Sequence, residues 1–91
     1  MSLTIKQYKS ARQKLVEAKP KAVKAWPDEC CIIDSVGGWG CSGLRFVWPN
    51  GDTGGSMEWV LDHAKSAADI ERVFDASIAD IDRCIAELEG K

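Results

Sequence analysis

The sequence predicts an α+β fold in the order α-β-β-β-α, a three-stranded antiparallel meander packed against an N-terminal helix and a long C-terminal helix. Three observations carry this expectation. An uninterrupted apolar stripe at helical spacing runs through Ala67–Leu88. A second, shorter amphipathic stretch opens the chain. Between them, β-branched and alternating segments are separated by glycine-rich turns. With 91 residues, 45% hydrophobic and 29% charged, the chain suits one compact domain over residues 1–91 with a single core.

The first helix starts at Thr4, whose hydroxyl and amide sit at capping-box spacing from Gln7. Ile5, Tyr8, Arg12, Leu15 and Val16 follow at helical intervals, with Lys6, Lys9 and Lys14 off the stripe. Pro20 either ends this helix near Ala18 or opens a second turn through Lys21–Ala25. Trp26-Pro27 closes the segment, since a residue before proline is steered away from helical backbone. Cys30–Val36 is apolar and β-branched and reads as the first strand. Leu44–Trp48 alternates and should pair with it, after the glycine-rich loop 37–43. Asn50-Gly51 supplies a tight reversal. Met57–Leu61 alternates again and reads as a third, edge strand, or else as the first turn of the last helix. In the final helix Ile70, Phe74, Ile78, Ile81, Ile85 and Leu88 line one side, joined by Val73, and Ser66 and Gly90 mark its ends.

Charge is divided unevenly along the chain. Residues 1–26 carry Lys6, Lys9, Arg12, Lys14, Lys19, Lys21 and Lys24 against the single acid Glu17, a net of +6, whereas the remainder has thirteen acids and five bases. The α-β-β-β-α order resembles the double-stranded RNA-binding domain. Such domains meet phosphates with basic residues at the start of the last helix, and here that position reads Ser66-Ala67-Ala68-Asp69-Ile70-Glu71. The function of that family is therefore not carried over. Direct nucleic-acid binding is the alternative function, and it would use the basic N-terminal helix.

No stretch is long and apolar enough for a membrane span, and the N-terminus lacks a signal-peptide pattern, so a cytoplasmic protein with reduced cysteines is expected. Cys30, Cys31, Cys41, His63 and Cys84 lack paired zinc-ligand spacing, so neither metal nor cofactor is expected. The loop 37–43 has no lysine and precedes no helix, which excludes a nucleotide cradle of the usual kind. His63 is the only histidine; Asp34 or Asp62 as its orienting partner and Cys41 or Ser42 as nucleophile form no recognisable catalytic motif, so no enzyme activity is expected.

The functional expectation is a small protein-interaction domain that acts by occupying a partner's surface. Its contacts would be Trp39 at the loop tip, Arg45 and Glu58 on the open sheet face, and an acidic ridge on the last helix formed by Asp69, Asp75, Asp80, Asp82 and Glu87. Carboxylates spaced along a rigid helix imitate phosphates. The sharper form of the expectation is thus an acidic inhibitor of a basic nucleic-acid-handling partner, by analogy of size and charge with small phage or mobile-element proteins. Self-association as a structural homo-oligomer is the third possibility.

Overall fold

The computed structural model describes residues 3–36 and 45–90. Their element order is α1 (Ile5–Ala25), α2 (Glu29–Val36), β1 (Phe46–Val47), β2 (Thr53–Gly54), α3 (Met57–His63) and α4 (Ala67–Glu89). This corrects the expected three-stranded meander with two helices: the described residues form four helices and one short antiparallel ribbon.

The N-terminal helix begins as its sequence dictates. The Thr4 hydroxyl accepts from the Gln7 amide at 3.1 Å, and the Gln7 side chain accepts from the Thr4 amide at 2.8 Å. Pro20 lies inside α1 and does not end it. The buried side is Ala11, Leu15, Ala18 and Ala22, so Val16, placed on the stripe by the sequence reading, is solvent-facing instead. Three alanines on this side let α1 lie close against α4, its principal neighbour.

The segment expected as the first strand is α2. Asp28 supplies the reason: its carboxylate accepts from the Cys31 amide at 3.2 Å, and its carbonyl accepts from the Ile32 amide at 3.1 Å. Only Ile32 and Val36, four residues apart, are buried. Packing on one helical side overrides the β preference of this short run. The two adjacent cysteines therefore do not straddle a sheet; Cys30 and Cys31 are both exposed.

The second expected strand is reduced to β1, which pairs with the two residues after the turn and not with the Cys30–Val36 segment. Phe46 is opposite Gly54 and Val47 opposite Thr53. Gly51 supplies the reversal at φ +97°, a backbone that favours glycine. Gly54 is also required for close approach, because a Cβ there would overlap the Trp59 ring. Trp59 in turn meets Trp48 edge-on at 6.1 Å.

The third expected strand is α3. Ser56 caps it, accepting from the Trp59 amide at 3.3 Å, and Met57, Val60 and Leu61 are buried at helical spacing. The alternation of Met57, Trp59 and Leu61 is compatible with either structure; the serine cap and Val60 decide it. The last helix matches its expectation closely. Ile70, Val73, Phe74, Ile81 and Ile85 are buried, and Ile78 packs at the core margin. Ser66 makes no side-chain cap. Asp69 reaches back to accept from the Lys65 amide at 2.8 Å. Phe74 meets Phe46 edge-on at 5.9 Å, and the wholly buried Ser77 hydroxyl accepts from the Val47 amide at 2.9 Å. These two contacts hold the ribbon against α4.

Among the described residues no helix is long and apolar enough to cross a membrane.

Candidate functional site

The basic and acidic halves of the sequence meet across the α1–α4 interface. Arg12 Nε lies 2.6 Å from Asp82 Oδ1, and Lys19 Nζ lies 2.5 Å from Asp75 Oδ1. Arg83 reaches Asp80 at 2.7 Å and Glu87 at 3.1 Å, and Arg45 approaches Asp80 at 3.8 Å. The carboxylates beside Arg83 hold its guanidinium above the ordinary arginine range. Asp69 is shared between Arg72, at 3.0 Å, and the Lys65 amide. All five acids expected to form a ridge on the last helix are therefore engaged by basic groups of the same chain. Their outward field is reduced accordingly, although each pair, being solvent-exposed, contributes little stability.

The other expected contacts are scattered. Arg45 is exposed just before β1, and Glu58 is exposed in the first turn of α3, on a helix and not on an open sheet. Trp39 lies outside the described residues, as do Cys41 and Ser42. His63 turns back on its own helix: its Nδ1–H donates to the Trp59 carbonyl at 2.8 Å, and its ring sits 5.4 Å from that indole. No group of three His, Cys, Asp or Glu side chains that could hold a metal ion occurs among the described residues. Cys31 donates to the Asp28 carboxylate at 3.3 Å. That bond raises the thiol pKa, while the Cys31 amide and thiol together lower that of Asp28.

Among the described residues, the outward side of α1 is presented to solvent. Lys6, Lys9, Lys21 and Lys24 are exposed there, with Glu17 as the single acid of the helix. At about 1.5 Å per residue, the side from Lys6 to Lys24 runs about 27 Å. Its middle is apolar. Val16 is 41% exposed; Pro20, four residues on, is exposed, and Val23, three further, is half-buried. At about 100° per residue these three share one narrow strip, with Lys9 in line with them and Lys24 alongside. The strip ends in an open groove of about 500 Å³ between α1 and α4, lined by Lys19, Pro20, Val23, Lys24 and Glu71. Pro20 has no amide hydrogen, so the Val16 carbonyl has no donor at the next turn of the helix.

The strip is hidden in the sequence because Val16 follows Leu15 at a position that helical spacing from Ile5, Tyr8 and Arg12 also allows in the core. The available signal was the 4-3-4 spacing of Ala11, Leu15, Ala18 and Ala22, which defines a buried side that excludes Val16.

No protein-family model, curated protein or solved structure matches this chain.

Proposed function

We propose that this chain is a protein-interaction domain that acts by occupying a partner's surface, with the outward side of α1 as its docking face and an acidic protein as its partner. The observation that supports this most is the division of charge. Five acids of α4, namely Asp69, Asp75, Asp80, Asp82 and Glu87, are paired within the chain, while Lys6, Lys9, Lys21 and Lys24 are presented together around an exposed apolar strip. An apolar centre inside a charged rim is the anatomy of a protein interface. Phosphates are met by Arg, Lys and other hydrogen-bond donors, and the exposed Val16 and Pro20 offer them none. A second copy of this chain is a poorer occupant, since two lysine faces repel each other.

The test is a nuclease-treated pull-down eluted with a salt gradient, run with the parent chain and two charge variants. The combined Lys6→Glu, Lys9→Glu and Lys24→Glu variant is expected to lose an acidic partner that the parent releases at moderate salt, while the Asp75→Asn and Asp82→Asn variant keeps it. Loss of the bound material on nuclease treatment would transfer the face to nucleic acid. A basic partner lost only by the aspartate variant would restore the acidic ridge of α4 as the docking surface.

A further inference from the structure

We infer that the groove at the end of the apolar strip receives an aliphatic side chain from an acidic amphipathic helix of the partner. This deepens the proposed function and rests on it. The strip Val16–Pro20–Val23 repeats at four and three residues, the interval at which a helix presents its own apolar side chains. Two helices laid against each other would therefore match over about two turns. The groove adds what a flat helix side lacks: a concavity with Val23 and Pro20 as apolar walls, bounded by Lys19 and Lys24 on α1 and by Glu71 on α4. One branched aliphatic side chain is the occupant that this lining suits, because its burial removes apolar surface on both partners without stranding a polar group.

Charge sets the orientation. Lys19 is already held by Asp75 at 2.5 Å, so Lys24, with Lys9 further along, is the cation offered to the partner's carboxylates. Glu71 stands on the opposite rim and repels them. The incoming helix must place its acids toward α1 and away from α4. The carboxylate of Glu71 thus acts as a selectivity element that costs affinity while it fixes direction.

The experiment is an amide-resonance titration of the ¹⁵N-labelled full chain with separate probes. These are a short acidic helical peptide with leucines on one side, the same peptide with alanines replacing the leucines, and a short oligothymidylate. The leucine peptide is expected to shift the Val16, Val23, Lys24 and Glu71 amides and to bind at least about fivefold more tightly than its alanine counterpart, the gain from burying part of one leucine. Val23→Ser, which removes an apolar wall of the groove, should erase most of that difference, and Val16→Ser, which removes the exposed strip leading to it, should reduce it. Val16 is exposed, so its variant remains informative if Val23→Ser unfolds the chain. Glu71→Gln should tighten the leucine peptide about two- to fivefold, as for removal of one exposed repulsive charge. Equal binding of the two peptides on the lysines of α1 would overturn the anchored side chain and leave the acidic-partner reading standing. Binding of the oligothymidylate alone, or of none of the probes, would overturn both.

Discussion

Replacing Ser77 with alanine isolates the contact that fastens the β ribbon to α4. Ser77 has no solvent exposure, and its hydroxyl accepts from the Val47 amide at 2.9 Å. The substitution removes one oxygen, opens no appreciable cavity, and leaves a half-buried amide without that acceptor. Stranding such a donor costs about 1–3 kcal/mol. Alanine returns about 0.5 kcal/mol through its better helix propensity. The net expectation is a loss of about 1–2 kcal/mol. For a domain of this length that corresponds to a fall in Tm of about 5–15 °C. Urea unfolding followed by far-UV circular dichroism measures the first quantity, and hydrogen exchange at the Val47 amide locates it. Exchange there should accelerate about tenfold or more, while the Leu15 and Ala18 amides change only with global stability. A variant as stable as the parent, with Val47 protection unchanged, would refute the reasoning and show that the ribbon is held by contacts other than the Ser77 hydrogen bond.

Pro20→Ala should stabilise the chain by about 1–3 kcal/mol, because it restores a backbone donor within α1 and removes no buried atoms; an unchanged urea midpoint would contradict this. Gly54→Ala should destabilise by about 1–3 kcal/mol, since the added Cβ overlaps the Trp59 ring. Trp59 fluorescence should shift to the red as the indole is displaced from Gly54. Asp28→Asn keeps an acceptor for the α2 cap but weakens the hydrogen bond to the thiol, and removes the charge, that together raise the Cys31 pKa. In a background with serine at Cys30, Cys41 and Cys84, alkylation of Cys31 at pH 8 should therefore be faster in the variant. In the parent, the thiol's contribution to stability is complete below its unfolded pKa and fades as pH rises through the higher folded value. The Asp28 carboxylate behaves oppositely: its contribution is present above its unfolded pKa and is lost as pH falls through the lower folded one.

The helices at the two ends were legible because their information is local and redundant. In α4, Ile70, Phe74, Ile81 and Ile85 keep to one side at intervals of four and seven residues over several turns, and in α1 the Thr4–Gln7 box marks the start. The Asn50-Gly51 reversal was legible for the same reason, since few residues accept a positive φ. The middle of the chain was not. Cys30–Val36 and Met57–Leu61 are short enough that period-two and helical patterns overlap, and composition favoured strands. What separated the alternatives was a capping side chain in each, Asp28 and Ser56, together with the neighbours onto which Ile32, Val36, Val60 and Leu61 pack.

The candidate site divides along the same line. Sequence by itself determined that the chain is basic at one end and acidic beyond it, and which residues carry those charges. Only the tertiary structure decided which charges face each other. By laying α1 along α4 it places Arg12 on Asp82 and Lys19 on Asp75, so the acidic ridge is spent within the chain while Lys6, Lys9, Lys21 and Lys24 remain exposed. The physical reason is that charge and helical spacing are properties of one segment. An ion pair between residues 56 or 70 positions apart exists only once the apolar sides of two helices have been packed together.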